Sequence, residues 1–199
     1  MGRLANKNIL LIIPKDYYCE EELEPLQEIF KKEEATVKIA SSKFKEAIGM
    51  RQGRLMPDML IVDAMEGITG DSYVTSQKGT RQILGVFHGV IIIGGSGSRR
   101  YLWDEKLVNL LLSDRDRSHM IIGAIGMGVP CLGFAGLIQS MEVTVCDDKK
   151  ALEAIDKAKA FVVEGNIKVN DNIITAKDAS TVEEFAETVI KAVAKTKIK

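Results

Sequence analysis

The chain has 199 residues with 27 Lys and Arg against 28 Asp and Glu, a formal net charge of −1. That balance gives no broad attraction to nucleic acid or to an anionic membrane, so neither is an expected partner. With 46% hydrophobic residues, 28% charged residues and four prolines, the composition excludes a disordered or collagen-like chain and can supply a core. The length fits one domain over residues 1–199.

No window approaches the roughly 18 uninterrupted apolar residues needed to span a bilayer. The longest candidate, 120–138, contains five glycines and a proline. The short apolar run 9–13 lacks the features of an export signal. Cys19, Cys131 and Cys146 are odd in number and widely spaced, without Cys/His clustering, so no disulfide framework or metal site is expected. A soluble protein of a reducing cytoplasm is the simplest expectation.

Apolar runs of strand length alternate with amphipathic segments. Residues 8–14 predict a strand, and 20–32 a helix with Leu23, Leu26 and Phe30 on one face. A second strand is expected at 36–40 and a third extended segment at 59–63, with a turn or short hairpin over 51–57 between them. The polar, glycine-bearing stretch 67–85 reads as a loop with irregular helix. Gly89-Val90-Ile91-Ile92-Ile93-Gly94-Gly95 shows no polar alternation, which suits a central parallel strand covered on both faces.

A helix at 104–112, a charged turn at 114–117 and another unbroken strand at 120–125 follow. Residues 128–138 predict a small-residue helix with Pro130 in its first turn. Next come a strand at 142–146, a lysine-rich helix at 151–159, short strands near 161–163 and 167–169, and a last strand at 172–175. The terminal helix is signalled by Ser180 and Thr181 in capping-box spacing with Glu183 and Glu184, and by the stripe Val182, Phe185, Ala186, Val189, Ile190 and Val193. This order implies an α/β sandwich with a mainly parallel sheet.

Ligands in such folds bind beyond the carboxyl ends of the strands, which selects the turns at 14–21, 94–100 and 126–129. Gly94 to Arg100 could wrap a phosphate or carboxylate with backbone N–H groups and two arginines, or be a structural turn with solvated arginines. It is neither a Walker loop nor a complete G-x-G-x-x-G, because Arg100 stands at the third glycine's place.

Gly94-Gly95 after an apolar strand, Ala124-Ile125-Gly126-Met127-Gly128 after the next, Ala135-Gly136-Leu137-Ile138 and Val143-Thr144 together resemble the ThiJ/PfpI superfamily. The likeness runs from about Ile9 to Ala192, with 67–85 resembling an insertion. It implies a flavodoxin-like three-layer sandwich and a homodimer. It also implies a cysteine at the sharp turn after Ala124-Ile125, a glutamate from the first strand-to-helix turn and often a histidine after Val-Thr. By that resemblance Glu21 is the glutamate, Gly126 stands at the cysteine's position and Cys146 at the histidine's.

A glycine cannot attack a carbonyl or be oxidised, so the family's glyoxalase, deglycase, protease and redox chemistry does not carry over through position 126. Glycine there is either native or an engineered replacement that silences the nucleophile. Met127 and Val129 also depart from the common pattern. Two functions follow. One is a non-catalytic member that binds a small carbonyl or carboxylate ligand, or a protein, in a pocket lined by Glu21, Gly94, Gly95, Gly126 and Met127. The other is a glyoxalase-, deglycase- or hydrolase-like enzyme using Cys146 with Glu21. Neither calls for a metal or cofactor.

Each of these residues also has a structural reading. Glu21 lies in an acidic first turn that favours a helix N-terminus without chemistry. Cys131 suits a packed core thiol, and Cys19 is better placed for exposure. His88 and His119 read as surface or edge residues, and Trp103 with Tyr101 as an aromatic rim or as packing for the next helix.

Overall fold

The runs without polar alternation lie in the middle of the sheet because both of their faces are covered. The computed structural model describes residues 2–66 and 87–196, so the expected insertion at 67–85 lies outside the described residues. The first half comprises β1 (Asn8–Ile12), α1 (Glu20–Lys32), β2 (Thr36–Ser41), the hairpin strands β3 (Ala47–Ile48) and β4 (Arg54–Leu55), β5 (Met59–Leu60) and α2 (Ile61–Glu66). After them come β6 (Gly89–Ile92), the short α3 (Ser98–Tyr101), α4 (Lys106–Arg117), β7 (Ile121–Ile125), α5 (Pro130–Phe134), β8 (Glu142–Val143) and α6 (Lys149–Lys157). The chain closes with β9 (Phe161–Val162), β10 (Ile167–Asn170), β11 (Ile173–Ala176) and α7 (Val182–Lys195).

Seven strands form one sheet in the order β10-β11-β7-β6-β1-β2-β5. Every pairing is parallel except β10 with β11. Odd-numbered residues of the central strands (Ile9, Leu11, Ile91, Ile121) pack under α1 and α7, while even-numbered ones (Leu10, Ile12, Val90, Ile122) pack under α4, α5 and α6. Period-two alternation thus sends each strand's apolar side chains into two separate cores. This is the α/β flavodoxin-like sandwich expected from the sequence, with β6 at its centre. The chain winds from β1 out to β2 and β5, then returns to β6 on β1's other side, so winding reverses between β1 and β6. A crevice opens at the carboxyl edge of such a reversal.

Several boundaries differ from expectation. The extended segment at 59–63 keeps only two strand residues, because Asp63 Oδ2 accepts the Leu60 N–H at 3.3 Å as the chain turns into α2. Periodicity alone does not separate strand from helix in so short an apolar run. The residues read as a charged turn at 114–117 are helical, since Leu111, Leu112 and Arg115 continue the buried face of α4. The helix expected at 128–138 is a 3-10 turn over Gly126–Gly128 followed by α5, with Pro130 at its start.

Strand β8 stops at Val143 because Thr144 turns away. Its N–H bonds Thr175 Oγ1 at 3.1 Å and its hydroxyl donates to Thr175 O at 3.0 Å. Asp178, not Thr181, supplies the cap before α7: its carboxylate accepts from Ser180 N at 2.9 Å, and the Thr181 hydroxyl donates to Asp178 O at 2.7 Å. His88 is buried, not an edge residue. Its Nδ1 accepts from Asn8 N at 3.0 Å, and its own N–H donates to Asn8 O at 2.8 Å, joining the starts of β1 and β6.

Candidate functional site

Three turns meet at the carboxyl edge of β1, β6 and β7. The strand β7 ends at Ile125, and Gly126 reverses the chain with φ +55°. A left-handed backbone is strained for a residue bearing a Cβ, so glycine relieves the turn. Beyond β6, Gly95 has φ +121°, and a Cβ on it would lie 2.3 Å from Tyr17 O. Glycine is what lets this turn lie against the approach to α1, where Cys19 N donates to Gly94 O at 3.1 Å.

The third turn delivers a buried carboxyl group. Glu22 is 4% exposed. Its Oε2 accepts from Gly94 N at 2.6 Å, and its Oε1 faces Gly126, where a Cβ would stand 2.6 Å away. Burial pushes its pKa up to about 8, opposed by the Gly94 N–H, raised further by the Asp178 carboxylate, and tempered by a hydrogen bond with the Cys19 side chain. At neutral pH the group is predominantly a neutral acid, with one oxygen turned to the space above Gly126.

Glu21, the glutamate that the resemblance implies, lies one residue away from this position. Glu21 is exposed and pairs with Arg51 at 2.5 Å. A helix turns about 100° per residue, so adjacent glutamates in the first turn of α1 lie on different faces, one buried and one exposed. The signal that marks Glu22 is its spacing, four residues before Leu26 and eight before Phe30, which puts it on the buried stripe. Glu20 serves a third purpose: its Oε1 accepts from Arg51 N at 2.8 Å and Gly53 N at 3.1 Å, fixing the β3–β4 loop to α1.

Met127 is half-buried, and its carbonyl accepts from Trp103 Nε1 at 2.7 Å. Trp103 is buried, with its ring centroid 6.2 Å from that of Phe134. It therefore both packs and pins the turn after Gly126, a pairing that no local sequence signal marks. Cys131 is buried in the core, and burial pushes its thiol up.

Cys146 is half-buried in the loop after β8. Its thiol is pushed up to about 11 by burial first, then by the charges of Asp148 and Glu22. Cys19 is also half-buried, less open than expected, and burial with the Glu22 charge pushes it up to about 12. His119 is exposed. Among the described residues no cluster of three or more His, Cys, Asp or Glu could hold a metal, and no helix is long and apolar enough to cross a membrane.

Known proteins share this fold. An uncharacterized protein from Methanocaldococcus jannaschii is 28% identical over 193 residues, covering 96% of this chain and 85% of its own. A ThiJ/PfpI domain protein from Brachyspira murdochii superposes with a TM-score of 0.80 at 22% identity, covering 97% of this chain and 99% of its own. Drosophila melanogaster DJ-1beta superposes with a TM-score of 0.73 at 19% identity, covering 98% and 92%. At those identities the structures establish the fold alone. The model of the DJ-1/PfpI family matches residues 7–192, nearly the whole of the sheet and its helices, and the chain belongs to that family.

Proposed function

We propose that this DJ-1/PfpI protein works by binding and not by thiol chemistry. A small ligand bearing a carbonyl or carboxylate oxygen sits over Gly126 and takes a hydrogen bond from neutral Glu22, with Gly94, Gly95 and Met127 as the wall. The observation that carries this reading is the Glu22 oxygen standing 2.6 Å from where the Cβ of a side chain at position 126 would lie. By the family resemblance that position belongs to a cysteine, and glycine offers nothing that can attack a carbonyl. A relocated nucleophile at Cys146 needs a lowered pKa, whereas its surroundings push the thiol up. The three free cysteines suit a reducing cytoplasm. The resemblance further supports a homodimer, to be tested by light scattering on a sizing column, with twice the chain mass expected.

The test pairs turnover with binding. Purified protein and its Cys146→Ser variant should leave methylglyoxal unconsumed. Pyruvate should bind saturably at pH 6.5, weaken at least tenfold at pH 9.5 as Glu22 ionises, and fail to bind Glu22→Ala. Turnover that disappears in Cys146→Ser would overturn the reading, as would pyruvate binding indifferent to Glu22.

A further inference from the structure

Beside the elbow, four cations line one cavity. Lys15 follows β1, Lys43 follows β2, and Arg99 and Arg100 lie in α3 after β6, so three neighbouring parallel strands deliver them to one edge. Together with Tyr101 they line a cavity of about 400 Å³. The Lys15 Nζ lies 4.5 Å from the Tyr101 ring centroid and the Arg100 guanidinium 5.5 Å from it. Among the described residues none of the four cations makes an ion pair, whereas nearby Lys45 is held by both oxygens of Asp16 at 2.7 and 2.8 Å.

Two carboxylates share the cavity. Glu105 is committed to α4, accepting from Leu107 N at 3.4 Å, while Asp104 is exposed at the rim. Four cations against two anions leave a local excess of two positive charges in a chain whose total is −1. Gathered like charges repel, and an anion that enters relieves the repulsion. Guanidinium groups match phosphate oxygens with paired N–H donors, and an ammonium adds a point charge. A cavity of this size accommodates a small ligand.

We propose that this cavity binds the phosphate group of a small phosphomonoester. The dianion offsets the excess charge of the site, and the two arginines and two lysines supply its donors. The proposal stands apart from the reading of Glu22, whose substitution leaves it untouched.

Calorimetric titration in low-salt buffer tests it, with inorganic phosphate and glycerol 3-phosphate as probes and glycerol as the neutral control. Both phosphates should bind saturably, glycerol should not, and affinity should fall as sodium chloride is raised. A Lys43→Ala/Arg99→Ala variant, whose replaced side chains are exposed, should bind at least tenfold more weakly with unchanged circular dichroism. Lys15→Ala should weaken binding independently, and Glu22→Gln should bind as the parent does. Absence of saturable phosphate binding, or equal affinity in the double variant, overturns the proposal. Attachment confined to phosphatidic acid vesicles, with no response to either soluble phosphate, overturns it as well.

Discussion

Glu22 links burial to pH. Its folded pKa, pushed up to about 8, lies above the ordinary carboxyl value of 4.5. Between those values the unfolded chain has released its proton while the folded one retains it. Stability contributed by the neutral acid is therefore full at low pH and is lost as pH rises toward 8, by an amount on the order of 5 kcal/mol. In urea unfolding at pH 5, 7 and 9, Glu22→Gln should flatten that decline, because an amide keeps the Gly94 contact without a charge to bury. Parallel pH profiles for the two proteins would mean that Glu22 titrates normally.

Gly126 provides a second test at the residue scale. Gly126→Ala meets both a left-handed φ of +55° and the Glu22 oxygen at 2.6 Å. It should lower unfolding free energy by about 1–3 kcal/mol, and an unchanged urea midpoint would refute the close approach. The glycine was legible in the sequence, since a small residue between an apolar strand and Pro130 announces a turn. The carboxyl that faces it is legible only to within a residue, because three consecutive glutamates satisfy the same helix-start signal and only the distant Leu26 and Phe30 distinguish them.

Among the elements, β1 and β6 are fastened by His88 as well as by their ladder. Burial holds the His88 pKa below the usual 6.5, with the Lys7 charge acting the same way. Acid should therefore weaken the fold, because the unfolded chain takes up the proton more readily and a protonated Nδ1 no longer accepts from Asn8. His88→Asn should show a smaller loss of urea midpoint between pH 7 and 5 than the parent, while an identical loss would place the acid sensitivity elsewhere. Elements with long apolar runs were readable from the sequence, as β6 and β7 demonstrate. Those whose limits depend on a partner far along the chain, such as β8 ending where Thr144 meets Thr175, carry no local signal.

At the scale of the whole molecule, the sheet sets a gradient of protection. Strands β7, β6 and β1 are paired on both sides and covered by two cores, whereas β8 and β9 form a separate two-stranded sheet with Phe161 and Val162 exposed. Amide hydrogen exchange should be slowest at Ile91, Ile92, Ile122 and Leu11, through global unfolding, and faster by orders of magnitude at Val162. Equal protection across both sheets would contradict this division.

The hydrogen bond from Trp103 to the Met127 carbonyl has an optical consequence. Trp103 is the sole tryptophan of the chain, so its emission is not mixed with that of any other indole. Any occupant of the space over Gly126 that shifts the neighbouring Met127 carbonyl alters the polarity felt by this indole nitrogen. The protein thus carries its own fluorophore beside the candidate site, and titrations there need no label.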